Sequence, residues 1–163
     1  MVGTLISSAI LALSLLAGNQ TPALPRFEDY PSTAMFSGRP APVVLASARY
    51  GRTFRTRLRE VAQSGPNFAG AFTVVTWGCG SSCQVNVVID ARTGSLSQQM
   101  LRTTNGLEYR RESRLLIADP VHAGDSPLDK CAACGTPAAY EWTGDHFEPV
   151  GTGRHPHLAT DRP

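Results

Sequence analysis

Apolar and polar positions change their period along the chain, and the changes mark its elements. Phe54, Leu58, Val61 and Ala62 recur at i, i+4, i+7 and i+8, one face of an α-helix, with Arg55, Arg59 and Gln63 on another face. The spacing predicts a helix over 46–64. Gly65-Pro66 ends it, because glycine supplies a left-handed cap and proline cannot continue the hydrogen-bond ladder. The period then falls to two. Segment 72–77 (F-T-V-V-T-W) is rich in β-branched and aromatic residues, and 84–90 (Q-V-N-V-V-I-D) alternates Val85, Val87 and Ile89. Asp90-Ala91-Arg92-Thr93-Gly94 reads as a turn, with a third strand expected over 96–101. A fourth strand is expected over 114–119, ended by Pro120. A last hairpin, 140–142 with 146–150, turns at Thr143-Gly144-Asp145. The polar tail beyond Gly151 is expected to fray.

One helix followed by sequential strands with short turns predicts an α+β fold. The N-terminal helix packs on one face of an antiparallel β-meander, in a single disulfide-stapled domain. The 163 residues suffice for one such core. The expected organisation is a signal peptide at 1–23, a proline-rich extended arm at 24–42, the α+β domain at 43–152 and a flexible tail at 153–163. The arm is read from Pro25, Pro31, Pro40 and Pro42 and from a lack of periodicity.

The signal peptide rests on the apolar run 5–17, broken only by serines, with small residues at Ala17, Gly18 and Ala23. The run is shorter than the roughly 20 residues that cross a bilayer. Cleavage is expected near Gly18 or Ala23, and an uncleaved anchor is the alternative. Membrane contact is expected only through this segment, if it is retained. Export places the protein in the periplasm or outside the cell.

A net charge of +2 is too mild for a nucleic-acid footprint, so no nucleic-acid partner is expected. The densest basic stretch is Arg55, Arg57 and Arg59. A solvated helix face is its simplest reading, and a patch for an acidic partner is the other.

Candidate chemistry centres on W-G-C-G-S-S-C, residues 77–83, where Cys79 and Cys83 flank Gly80, Ser81 and Ser82. The other cysteines are Cys131 and Cys134. A zinc site needs four converging thiolates, and here two hairpins separate the pairs. An oxidoreductase C-x-x-C needs its first cysteine at a helix N-terminus, whereas a strand pattern follows Cys134. Behind an export signal, two structural disulfides fit better. Three pairings are open, and the position of each pair in a turn leans towards the local one. Ser81 and Ser82 lack the G-x-S-x-G elbow of a hydrolase nucleophile. None of His122, His146, His155 or His157 stands at a spacing that points to them. No metal or other cofactor is expected.

The blocks G-P-N-F-A-G-A-F-T-V-V-T-W-G-C-G-S-S-C (65–83), V-I-D-A-R-T-G (88–94) and S-R-L-L-I-A-D-P (113–120) resemble a family of uncharacterised exported bacterial proteins. The resemblance implies a compartment and no reaction, and it implies that Cys79 bonds Cys83. Where that family has His-Tyr, this chain has Ala71-Phe72. A weaker, architectural resemblance is to the periplasmic inhibitor of vertebrate-type lysozyme, which presents a disulfide-closed loop between two strands. Here that loop carries Gly80, Ser81 and Ser82 with no His or Asp.

The functional expectation is a non-catalytic binding module that presents a closed hairpin loop to a protein or envelope ligand, with Trp77, Gly80, Ser81 and Ser82 as contact residues. The alternatives are a periplasmic thiol-disulfide protein using Cys131 and Cys134, and a lysozyme-inhibitor-like protein.

Overall fold

The computed structural model describes residues 24–121, 135–151 and 158–160. The described residues contain one α-helix, α1 (Arg55–Ala62), and eight strands: β1 (Phe72–Gly80), β2 (Cys83–Asp90), β3 (Gln99–Thr103), β4 (Leu107–Tyr109), β5 (Leu115–Ala118), β6 (Ala138–Trp142), β7 (Phe147–Val150) and β8 (Leu158–Thr160). The fold is α+β, as the sequence predicts. The strands form two antiparallel sheets of four rather than one meander, in the orders β1-β2-β3-β8 and β4-β5-β6-β7.

Three clusters of buried side chains give the layer order. Phe72, Val74, Val88 and Leu101 of the first sheet meet Leu116, Tyr140, Trp142 and Phe147 of the second. Phe72 and Trp142 make an edge-to-face contact at 5.3 Å between ring centroids. The opposite face of the first sheet presents Val75, Val85, Val87 and Ile89 to Tyr50, Leu58 and Ala62. The outer face of the second sheet buries Leu115, Ile117 and Ala139 beneath Phe27 and Tyr30. Both faces of the β1–β2 hairpin are therefore covered. That accounts for the nearly unbroken burial of 85–89, where a half-buried strand would alternate.

The arm runs round the side of this stack. Phe27 and Tyr30 lie on the outer face of the second sheet, Phe36 packs against the cluster between the sheets, and Val43 and Leu45 join the helix layer. Backbone bonds fasten it along the way: Ser32 N donates to Glu112 O (2.8 Å), Phe36 N to Gly70 O (3.0 Å) and Ala41 N to Ala91 O (2.8 Å). A chain that cannot pair regularly at its prolines still satisfies its donors on the body. Order therefore reaches back well before Val43.

Several predicted boundaries move. The helix is shorter than 46–64, because its first half forms two 3₁₀ turns, Leu45–Ser47 and Arg49–Gly51. Ser47 is recruited there into tertiary bonding: its hydroxyl accepts from Leu96 N (2.9 Å) and donates to Val44 O (2.7 Å). The third strand starts at Gln99 rather than 96, because the Ser97 hydroxyl intercepts Val88 N (3.1 Å) and bends the chain out of register. Strand β4 has only three residues and no alternation to betray it. In the tail expected to fray, β8 pairs with β3, Leu101 opposite Leu158 and Gln99 opposite Thr160. The predicted turn after β2 is present. Gly94 adopts φ +76°, and a Cβ there would lie 1.9 Å from Pro42 O.

Candidate functional site

The hairpin register runs unbroken from Phe72 opposite Asp90 to Gly78 opposite Gln84, then shifts to Gly80 opposite Cys83. Cys79 is the extra residue of a bulge, so the strand bends just before the turn. The turn itself is Ser81-Ser82, tighter than the six residues, 78–83, that separate the two predicted strands. Gly80 takes φ +130° and Ser82 φ +49°, and the chain reverses there without a longer loop. Cys79 and Cys83 form a disulfide across the tip with Cα atoms 5.1 Å apart. Residues 78–82 are exposed, and Cys83 and Gln84 are half-buried.

The base of this tip is heavily braced. Trp77 stacks on Phe54 (centroids 4.2 Å apart, planes at 23°) and reaches Tyr50 (5.9 Å), which ties β1 to the helix layer. On the other face, Thr76 Oγ1 donates to Asn86 Oδ1 (2.7 Å), and Asn86 Nδ2 donates to Leu101 O (3.1 Å) and Thr103 Oγ1 (3.0 Å). This buried polar cluster locks β1, β2 and β3 together. Beside it, the buried Asp119 carboxylate accepts Thr104 N (2.7 Å) and Asn105 N (2.6 Å) and so fixes the turn that brings Thr104 to the tip. A cavity of about 540 Å³ opens at the tip, lined among others by Arg57, Trp77, Gly78, Gly80, Ser82 and Thr104.

β1 is the outer strand of its sheet, and its free edge is capped residue by residue. Phe72 bonds outward to Phe68, Val74 N donates to Asn67 Oδ1 (2.8 Å), and Thr76 O accepts from Arg57 Nε (3.3 Å). The same two-residue alternation turns the main chain of Gly78 outward. Among the described residues nothing caps it. A Cβ built on Gly78 or on Gly80 meets nothing within 4 Å.

Of the expected contact residues, Gly80, Ser81 and Ser82 stand together on the tip, while Trp77 is largely committed to packing. Gly78 and Arg57 join the site and were not predicted. Their signals were the first glycine of the motif and an arginine that the helical wheel places as plain solvated surface. Cys131, Cys134, His122, His155 and His157 lie outside the described residues.

His146 is bonded within its own turn, to Asp145 Oδ1 (2.6 Å), Thr143 Oγ1 (3.0 Å) and Glu148 Oε1 (3.2 Å). The Asp145 hydrogen bond and charge, with Glu148 adding to them, hold the imidazole above its ordinary range. Asp145 is held below its own range, first by His146 and then by Thr143. This turn borders a second cavity, of about 530 Å³, that Phe72, Trp142, Asp90 and Gln99 also line. Asp90 resists burial through its bonds to Arg92, which keep its carboxyl below the usual range. No serine–histidine pair forms at the tip among the described residues.

Among the described residues, no group of three or more His, Cys, Asp or Glu side chains is placed to hold a metal ion, and no helix is long and apolar enough to cross a membrane. Comparison with protein-family models, curated proteins and solved structures finds no match to this chain.

Proposed function

We propose that the protein is an exported, non-catalytic binding module whose contact surface is the disulfide-closed tip of the β1–β2 hairpin. The observation that carries this reading is Gly78. It needs no left-handed φ, and no neighbour crowds its Cβ position, so the fold gives no reason for glycine there. Glycine inside a strand weakens it, and one common reason for keeping it is close approach of another backbone. Gly78 is also where the capped edge of β1 ends. An extended segment of a partner can add its main chain there, in the manner of β-strand addition. The disulfide and the braced base fix the tip in advance, so little conformational entropy is lost on binding.

The disulfide suits an oxidising compartment, periplasmic or extracellular. The likeness of the W-G-C-G-S-S-C block to exported bacterial proteins supports the same assignment. The test is Gly78→Trp in the full chain, followed by affinity capture from an envelope extract. Because the site is open, the variant keeps its melting temperature, and the captured partner is lost. A partner still recovered by a folded Gly78→Trp protein removes the tip as the contact surface.

A further inference from the structure

The helix layer carries a second surface, which meets the tip site only at Arg57. Between Asp29 and Asp90 the chain has one acidic residue, Glu60, and the six cations Arg39, Arg49, Arg52, Arg55, Arg57 and Arg59. All six are exposed, and all belong to the layer that covers the outer face of the first sheet. The rest of the chain holds nearly all the acids, so a protein of net charge +2 is strongly polarised. Elsewhere among the described residues, four arginines are paired with carboxylates: Arg26 with Asp29, Arg92 with Asp90, Arg110 with Glu28 and Arg114 with Glu141. Among the described residues, none of Arg39, Arg52, Arg55, Arg57 and Arg59 meets a carboxylate. Arg55 and Arg57 hold only backbone carbonyls, those of Arg52 and Thr76. Arg39 and Arg59 line one groove with Pro40, Pro42, Val43 and Gln63.

We infer that this face docks on an anionic phospholipid bilayer through its phosphate headgroups. Two features favour a lipid surface over a folded acidic protein. First, the exposed positions of α1 and its end are Arg55, Thr56, Arg57, Arg59, Glu60, Gln63 and Ser64, with no apolar centre of the kind a protein–protein interface buries. In this layer Val44 is the one large apolar side chain exposed among the described residues. Second, the cations are all arginine, whose planar fork takes a phosphate through two hydrogen bonds. They are spread along the layer rather than gathered into one pocket, which suits many small headgroups better than one ligand. Each basic side chain held near an anionic leaflet strengthens association by about fivefold, within a Debye length of the surface.

The experiment is vesicle co-sedimentation of the full chain, with mixed phosphatidylglycerol and phosphatidylcholine vesicles against phosphatidylcholine alone. Any contribution of the apolar run 5–17 is common to every protein compared. The wild type partitions more strongly onto the anionic vesicles. The triple variant R52Q/R55Q/R59Q loses roughly a hundredfold of that preference. Arg26→Gln, a single charge lost from the arm on the far side of the stack, leaves it nearly unchanged. Near-ultraviolet circular dichroism, which reports the Trp77–Phe54 stack, stays the same in the triple variant and shows that it is folded. A folded triple variant that keeps the wild-type preference overturns the inference. So does arginine-dependent binding to soluble inorganic polyphosphate with no preference for the anionic vesicles. Neither outcome touches the tip, which the Gly78→Trp experiment tests separately.

Discussion

Trp77 lies stacked on Phe54, with the two ring centroids 4.2 Å apart. This contact fastens the base of the disulfide tip to the helix layer, three residues before the exposed Gly80. Trp77 is thus the anchor that holds the neighbouring residues of the tip still.

Replacing Trp77 by Ala removes that anchor. The ring is half-buried, so the expected loss is about 2–3 kcal/mol, below the range for a fully buried aromatic residue. Urea denaturation measures it. Trp77→Phe keeps the stack with Phe54 and recovers most of the loss.

The disulfide contributes to the tip more than to the fold. Changing Cys79 and Cys83 to Ser costs about 2 kcal/mol by the entropy of so short a loop. The ladder from Phe72 to Gly78 remains, so the hairpin stays paired. Hydrogen exchange is expected to quicken at 79–83 and to stay unchanged over 73–77. Uniform loss of protection along β1 would show that the bond holds the strand rather than its end.

Gly94 is irreplaceable for two reasons that act together. Its φ is +76°, and its Cβ position is occupied by Pro42 O of the arm. Gly94→Ala therefore destabilises by more than the ~1 kcal/mol of backbone strain alone, and about 3 kcal/mol is expected. It also weakens the bond from Val44 N to Gly94 O, so limited proteolysis should cut the arm sooner than in the wild type.

His146 and Asp145 make stability depend on pH in a defined direction. The imidazole is held above its ordinary range, so its contribution is complete below that range and is lost as pH rises through the folded value. Asp145 is held below its range, so its share is present above the ordinary carboxylate range and is lost as pH falls through the folded value. The pair contributes most between the two ranges, that is, under mildly acidic conditions. Both side chains are exposed, so the effect is small and fades with added salt. An NMR titration of the His146 ring checks it: Asp145→Asn brings the midpoint down towards that of an unstructured peptide.

The sequence carried the parts of this fold that have a local signature. The period-two runs 72–77 and 84–90 lie inside β1 and β2, and the Asp90-to-Gly94 turn lies where its chemistry puts it. The disulfide between Cys79 and Cys83 is also present. Legibility failed where tertiary contacts override local pattern. Ser47 and Ser97 divert backbone groups that a helix or strand would have used. The division into two sheets stayed hidden because β4 is three residues long, and β8, the last strand of the first sheet, lies in the polar tail. At the site, Gly80, Ser81 and Ser82 were readable as a turn. Gly78 was not, because its meaning lies in what is missing around it: a neighbour at its Cβ and a cap on its edge.

The most direct measurement of the binding proposal is site-specific photocrosslinking in the envelope, with the crosslinking amino acid placed at Ser81 and, for comparison, at the exposed arm residue Thr33. Ser81 is expected to give a discrete crosslinked product that disappears when Gly78→Trp is added, while Thr33 gives none. The same product from both positions, or a Ser81 product that survives Gly78→Trp in a folded protein, would contradict the tip as the contact surface.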